Sequence, residues 1–169
     1  GELGPVDVLI GGPPCQGFSL SGKRRVDDQR NTLFKHYLRF VDSLRPKLAI
    51  LENVRLLTSM KNQLGGLIKE DILHEFSAHG YSVRLFEVNA KDYGIPQHRE
   101  RVLFVAVRND LDSEPSIPAP THGADADLFT SLKPFRTLGD ACSDLAYLES
   151  GDASDYPLHV AVRHPKHVI

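Results

Sequence analysis

The chain has 169 residues, of which 41% are hydrophobic and 25% are charged, an ordinary composition for a soluble globular protein of one domain or slightly more. Its formal net charge of -2 differs from the basic balance usual in a freestanding nucleic-acid-binding domain, so contact with DNA would depend on local basic clusters such as residues 23–25. No signal peptide opens the chain, and no apolar run approaches the roughly 20 residues that a membrane span needs.

The first predicted element is a strand at residues 6–10, whose continuous apolar character suggests burial on both faces, as in a parallel sheet. Residues 11–19, GGPPCQGFS, then end the strand and turn the chain. Cys15 lies just beyond this turn, in a backbone stiffened by two prolines, which is the layout of a positioned nucleophile. A lone cysteine is more often a small buried filler, but the polar residues that follow favour the nucleophile. The aperiodic stretch from there to residue 31 predicts a lid.

Helices and strands then alternate along the chain. The apolar spacing predicts a helix at 32–44, a strand at 47–51, a helix at 63–78, and strands at 81–88 and 102–107. The connection between the last two strands is too short for a crossover helix, so these strands should be antiparallel neighbours. Because ligands bind beyond the carboxyl ends of parallel strands, Cys15 and Glu52 should emerge on the same side of the sheet.

The composition changes after Asp110. Residues 113–123 are rich in proline and small residues, which is typical of a linker. Thr137 with Asp140 three residues later predicts the N-cap of a short helix that ends near residue 148.

Side chains suited to covalent chemistry are predicted at or near the strand ends on one edge of the sheet, called the rim below. The thiol of Cys15, the carboxylic acid of Glu52 and the guanidinium groups of Arg99 and Arg101 could together add a nucleophile to an electron-poor ring. The thiolate would attack, the acid would protonate a ring nitrogen, and an arginine would steady the acid and the ring oxygen. Less specific explanations remain open. Glu52 could be the exposed end of a strand, and Arg99 and Arg101 could be surface charges that alternate along a strand.

Three separated segments carry a resemblance to a known family. Residues 12–19 (GPPCQGFS), 52–54 (ENV) and 97–101 (QHRER) resemble the DNA cytosine-5 methyltransferases in order and in separation. Residues 30–34 and 93–96 fit the same pattern. Three motifs in register make this resemblance specific.

The resemblance covers residues 5–108 closely and continues loosely to about 145. It implies an α/β, partial Rossmann-like methyltransferase fold: half of a mostly parallel sheet, with helices on both faces and one antiparallel strand. Residues 1–109 would form an incomplete catalytic domain, and 110–169 a linker with the start of the target recognition region. The glycine-rich motif for S-adenosylmethionine should precede the first strand, so we expect a fragment that is inactive alone.

The resemblance also implies a role for each matching residue. Cys15 would attack carbon 6 of a cytosine flipped out of duplex DNA, since the ring cannot be attacked while it is stacked. Glu52 would act at ring nitrogen 3 and the exocyclic amine, with Arg101 on the base and the glutamate and Arg99 nearer the target phosphate. Further contacts to the DNA substrate would come from Pro14, Gln16, Ser19, Arg30, Asn53 and Gln97, and contacts to S-adenosylmethionine from Pro14 and Leu33.

The function implied is methyl transfer from S-adenosylmethionine to carbon 5 of cytosine in DNA, as in restriction–modification systems of the bacterial cytoplasm. One alternative is a transfer-RNA cytosine-5 methyltransferase built on the same motifs; another is a non-catalytic subunit of a split enzyme. Other partners would be the missing half of the enzyme, or a second copy bound through an exposed sheet edge. We expect no metal, because the histidines at 159, 164 and 167 lack ligand companions, and the two cysteines suit a reducing compartment.

Overall fold

The computed structural model describes residues 4–14, 33–62, 64–124, 131–145, 147–155 and 160–162. The chain divides into two compact units, Gly1–Ala90 with His98–Pro120, and Lys91–Gln97 with Thr121–Ile169. The predicted boundary between a catalytic domain and a recognition region at residue 109 stays a prediction.

The first unit contains a four-stranded sheet in the order β1-β2-β4-β3. Its strands are β1 (Val8–Gly11), β2 (Leu48–Val54), β3 (Tyr81–Asn89) and β4 (Glu100–Arg108). β1 and β2 are parallel, whereas β4 is antiparallel to both of its neighbours. The predicted antiparallel pairing of the last two strands is confirmed. The sheet is therefore mixed: three strands run in one direction and β4, inserted between β2 and β3, runs in the other.

Two helices accompany this sheet, α1 (Leu33–Leu44) and α2 (Ile68–Ala78). A short 3-10 helix, Arg55–Ser59, follows β2 directly. The second helix begins five residues later than predicted, because the side chain of Asn62 accepts hydrogen bonds from the N–H groups of the loop that follows it. Gly80, at φ +82°, provides the predicted stop after α2.

Both helices pack on the same face of the sheet. One core cluster contains residues of α1 (Tyr37, Leu38, Val41), of α2 (Ile68, Ile72, Phe76) and of the central strands (Ala49, Leu51, Val102, Phe104, Ala106). The expectation of helices on both faces is therefore wrong for α1 and α2. The crossovers from β1 to β2 and from β2 to β3 move across the sheet in the same direction, and right-handed crossovers in one direction place their helices on one side.

The face of the sheet opposite α1 and α2 is exposed to solvent at β1. Val8 and Ile10 point to this face and are 49% and 68% exposed, whereas Leu9 on the opposite face packs against the core cluster. The prediction that this strand is buried on both faces is thus wrong for the described structure. The physical reason is its position: among the described residues β1 pairs only with β2, at the edge of the sheet.

The second unit has little regular structure in its described part. β5 (His122–Gly123) and β6 (Lys133–Pro134) form a two-residue parallel pair, and α3 spans Leu138–Cys142. The predicted N-cap is confirmed as a capping box between Thr137 and Asp140. The helix is shorter than expected, since the chain turns directly after Cys142. In the described part of the chain no helix has the length and apolar character to cross a membrane.

Candidate active site

The carboxyl ends of β1 and β2 lie side by side, because the two strands are parallel neighbours. Glu52 lies near the end of β2, and its carboxylate reaches the chain that leaves β1: a Cβ added at Gly12 would lie 3.0 Å from Glu52 Oε2. A larger residue at position 12 would therefore crowd this carboxylate. Gly12 and Glu52 thus share one rim of the sheet; that Cys15 emerges on the same side as Glu52 stays a prediction. Four candidates, Cys15, Gln16, Ser19 and Arg30, lie outside the described residues, and their roles stay predictions.

Glu52 forms an ion pair with Arg101, whose strand starts at this rim. Arg101 Nε lies 2.8 Å from Glu52 Oε1. In the register Glu52 is opposite Leu103 and Arg101 is opposite Val54, so the two charged side chains are diagonal neighbours on the face away from the helices. Their side chains are 38% and 23% exposed, so the pair is partly shielded but remains accessible to a ligand. Arg101 Nη1 also donates to the Glu100 carbonyl at 2.7 Å, which helps to fix the guanidinium.

Asn53 lies on the opposite face of β2 and is buried. Its Nδ2 donates to the Pro13 carbonyl at 3.0 Å, and its Oδ1 accepts from the Val54 N–H at 2.8 Å. The side-chain amide therefore ties the segment leading to Cys15 to the end of β2. These contacts give Asn53 a structural role at the end of β2; its direct contact with a DNA substrate stays a prediction.

The remaining described candidates are not part of these contacts. Pro14 is exposed just beyond β1, Leu33 is the partly exposed first residue of α1, and Arg99 is exposed immediately before β4. Gln97 belongs to the second unit, where its N–H donates to the Ile95 carbonyl at 2.7 Å.

One supporting residue was missed from the sequence. Tyr37, which lies within the helix predicted at residues 32–44, places its hydroxyl 3.0 Å from the carbonyl oxygens of both Leu9 and Ile50. The hydroxyl has a single proton, which these two carbonyls share, and it so joins β1 to β2. The ring fills the space above Gly11, where an added Cβ would meet ring carbons at 2.6 Å. Burial raises the pKa of the Tyr37 phenol. A tyrosine within a buried stripe was the available signal, since its hydroxyl needs a partner.

The comparisons with known proteins agree with this arrangement. Residues 2–146 match the family model for C-5 cytosine-specific DNA methylases. The chain is 38% identical over 190 residues to the type II methyltransferase M.DdeI of Desulfomicrobium norvegicum, covering 99% of this chain and 44% of that protein. It is 42% identical over 145 residues to M.BspRI of Lysinibacillus sphaericus, covering 86% of this chain and 32% of that protein.

A solved structure supports the same relationship. The fold is similar, with a TM-score of 0.64 and 31% sequence identity, to a crystal structure of an E. coli prophage-encoded protein described as a DNA modification methyltransferase. The match covers 90% of this chain and 39% of that one. The chain thus spans less than half the length of these relatives. By the family match over residues 2–146, the chain belongs to the C-5 cytosine-specific DNA methylases.

Proposed function

We propose that this chain carries the reactive centre of a DNA cytosine-5 methyltransferase, which transfers a methyl group from S-adenosylmethionine to carbon 5 of a cytosine flipped out of duplex DNA. The observation that carries this proposal is the Glu52–Arg101 ion pair at 2.8 Å. The Glu52 carboxylate lies beside Gly12, which precedes Cys15 by three residues. The similar curated proteins are named type II methyltransferases, which favours duplex DNA as the substrate. Because the chain spans 44% and 32% of these relatives, the activity is assigned to the full-length enzyme, meaning this chain together with the rest of the family's catalytic domain.

In the proposed reaction the Cys15 thiolate forms a carbon–sulfur bond at carbon 6. The electron pair of the 5,6 double bond shifts toward carbon 5 and the ring. Glu52 acts as the general acid: its carboxyl group takes up a proton before the attack and gives that proton to ring nitrogen 3, which stabilises the charge. S-adenosylmethionine, when bound, supplies the methyl group to carbon 5. A base then removes the proton from carbon 5, the proton on ring nitrogen 3 returns to Glu52, the 5,6 double bond forms again, and the thiolate leaves. The base must be flipped out first, because its two faces are covered by stacking in the duplex.

Arg101 has two tasks in this proposal. Among the described contacts it uses Nε on Glu52 and one N–H of Nη1 on the Glu100 carbonyl, which are two of its five N–H donors. The other donors are available to a ring oxygen, where a charged hydrogen bond stabilises the negative charge that develops on the base. The ion pair also holds Glu52 in place, so that proton transfer needs little rearrangement.

The described residues fit the methyl donor only in part. Pro14 and Leu33, the residues implied for S-adenosylmethionine, are both accessible at the surface of the first unit. Both side chains are apolar, so they suit contact with the adenine and the methyl-bearing part of the donor. They provide no side-chain hydrogen bonds for its ribose or amino-acid groups.

A trapping assay tests the function. Duplex DNA containing 5-fluorocytosine should form a stable covalent adduct with the full-length enzyme in the presence of S-adenosylmethionine. In this base a fluorine replaces the hydrogen at carbon 5, so the proton loss that releases the enzyme cannot occur. Cys15→Ser should abolish the adduct, whereas Cys142→Ser, which changes the exposed cysteine of the second unit, should keep it. Absence of an adduct with the unsubstituted enzyme, or an adduct that survives Cys15→Ser, would reject the mechanism. Faster methylation of transfer RNA than of DNA would reject the proposed substrate.

A further inference from the structure

Arg55 connects three strand ends on the face of the sheet that lies away from the Glu52–Arg101 pair. It is the first residue after β2, and its Nε lies 3.1 Å from Glu87 Oε2 on β3. Its Nη1 lies 2.7 Å from Glu100 Oε1 at the start of β4. One guanidinium therefore joins the chain leaving β2 to both strands of the β3–β4 hairpin, and the two carboxylates raise its pKa.

The two ion pairs brace the same pair of strands from opposite faces. Glu100 and Arg101 are consecutive in β4, so their side chains point to opposite faces of the sheet. On one face Arg101 binds Glu52 of β2, and on the other Glu100 binds Arg55, three residues after Glu52. Arg101 Nη1 also donates to the Glu100 backbone carbonyl. The backbone of Glu100 is thus shared by both contacts, and a shift there would move Arg101.

We infer that Arg55 is a positioning residue for the Glu52–Arg101 pair: its bridge to Glu87 and Glu100 holds the end of β2 against the start of β4, so that carboxylate and guanidinium stay in contact when the base enters. This inference rests on the proposed function. β2 leaves the sheet immediately after its last residue, Val54, where a 3-10 helix begins. Without the bridge, the polar contacts among the described residues that would still join the end carrying Glu52 to β4 are the backbone hydrogen bonds between the two strands and the Glu52–Arg101 ion pair itself.

A surface ion pair with no further role would behave differently. All three side chains of the bridge are roughly half exposed, and exposed pairs contribute little to global stability. The reaction, by contrast, is sensitive to small displacements of reacting groups. A positioning role therefore predicts a loss in the rate of methyl transfer that is out of proportion to the loss of stability.

The substitution Arg55→Met in the full-length enzyme separates these two explanations. We expect kcat at saturating DNA and S-adenosylmethionine to fall by roughly five- to twentyfold, with both KM values within about twofold of the parent. Arg55→Lys should recover part of the rate, because a single ammonium keeps the charge but not the two-sided bridge. Asp110→Asn is the matched control: it removes the charge of the exposed carboxylate that pairs with Arg108 at the far end of β4, and it should leave the rate unchanged.

A second readout follows the contact without depending on activity. In protein labelled with 15N-arginine, the Nε–H signal of Arg101 reports its bond to Glu52, and Arg55→Met should broaden this signal or speed its exchange with water. An unchanged rate, or a reduced rate with an unchanged Arg101 signal, would overturn the inference. If the unsubstituted enzyme transfers no methyl group, the proposed function fails, and the Arg101 signal alone then decides whether Arg55 positions the pair.

Discussion

The side-chain amide of Asn53 and the carbonyl of Pro13 are hydrogen-bonded at 3.0 Å across a separation of 40 residues. The same side chain accepts from the Val54 N–H, so one buried group fixes both the end of β2 and the approach to Cys15. Glu52, the neighbouring residue, points to the opposite face and binds Arg101. Asn53 therefore holds the end of β2 on one face of the sheet, and Glu52 presents its carboxylate on the other face.

Asn53→Ala should lower both stability and reactivity. The change leaves the Val54 N–H and the Pro13 carbonyl without their partner, which should reduce the free energy of unfolding by about 1–3 kcal/mol. The rate of adduct formation with 5-fluorocytosine DNA should also fall, because the segment leading to Cys15 loses its attachment to β2. Denaturant unfolding and the trapping assay measure the two effects. Asn109→Ala, in an exposed turn, is the control, and equal behaviour of the two variants would contradict this role.

Replacing Arg101 by methionine should affect the rate of methyl transfer, whereas replacing Arg99 by methionine should affect DNA binding. Arg101 is paired with Glu52, so Arg101→Met should slow methyl transfer by roughly 100-fold or more, as expected for loss of a donor that stabilises charge. Arg99 is exposed just before β4, and if it contacts a phosphate its loss should weaken DNA binding at all sequences. The slope of log K against log salt concentration should then fall by about one unit. A reversed pattern in the two variants would contradict both assignments.

Gly11→Ala should destabilise the joint between β1 and α1. The added methyl group would lie 2.6 Å from two carbons of the Tyr37 ring, which is anchored by its hydroxyl to the carbonyls of two strands. Overpacking of this kind costs about 1–3 kcal/mol of the free energy of unfolding. Thermal or denaturant unfolding measures it. Gly4→Ala is the matched control because nothing lies within 4 Å of its added Cβ; similar losses in both variants would rule out the clash as the cause.

The elements of the first unit could be predicted from the sequence because their apolar periods are local. The parallel pairing of β1 with β2, on which the expected nearness of Cys15 and Glu52 depends, is present in the structure. The insertion of β4 between β2 and β3 was beyond this reasoning, because ladder pairing joins residues far apart and leaves no local period. For that reason the contact between Glu52 and Arg101 followed from the family resemblance and not from periodicity.

The supporting contacts were harder to predict for a different reason. The bridge of Arg55 to Glu87 and Glu100 uses charged residues that, in sequence, look like any exposed strand ends. The start of α2 was misplaced because Asn62 bonds to nearby backbone N–H groups, a local competition that apolar spacing does not show. The bridge thus depends on tertiary contacts, whereas the start of α2 depends on local side-chain hydrogen bonds.

Tyr37→Phe should change how stability depends on alkaline pH. Burial raises the pKa of Tyr37 above its ordinary value of 10.0, so the folded protein holds this proton more strongly than the unfolded chain. The resulting stability is complete below pH 10 and is lost as pH rises above it. Removing the hydroxyl should lower the free energy of unfolding at neutral pH by about 0.5–1.5 kcal/mol but make its decline above about pH 10 shallower.

Denaturant unfolding at a series of pH values measures this effect. Tyr147→Phe is the control for neutral pH, because it removes an exposed hydroxyl and should leave the free energy of unfolding there unchanged. Tyr81, whose pKa burial also raises, remains in all variants, so a smaller alkaline decline persists. Parallel pH curves for Tyr37→Phe and the parent protein would show that the buried phenol is not responsible.

The outer side of β1 is the most exposed apolar part of the sheet. β1 lies at the edge of the described sheet, and its Val8 and Ile10 side chains are 49% and 68% exposed. An apolar edge strand of this kind presents unpaired backbone groups beside apolar side chains, a combination that favours pairing with another strand. In the full-length enzyme a further part of the catalytic domain could cover this edge; in the isolated 169-residue chain a second copy can do so.

We therefore expect the isolated chain to self-associate through β1, without methylating DNA or binding S-adenosylmethionine tightly. Sedimentation velocity should show a mass that rises with concentration over the micromolar range, and calorimetric titration should show no tight binding of the cofactor. Ile10→Lys should reduce the association, because a charge on an edge strand opposes pairing. Leu64→Lys is the matched control, since Leu64 is 97% exposed but lies in a loop outside the sheet. Equal suppression by both variants would point to general solubility, and a stable monomer that binds the cofactor at micromolar concentration would show that the β1 edge is already protected.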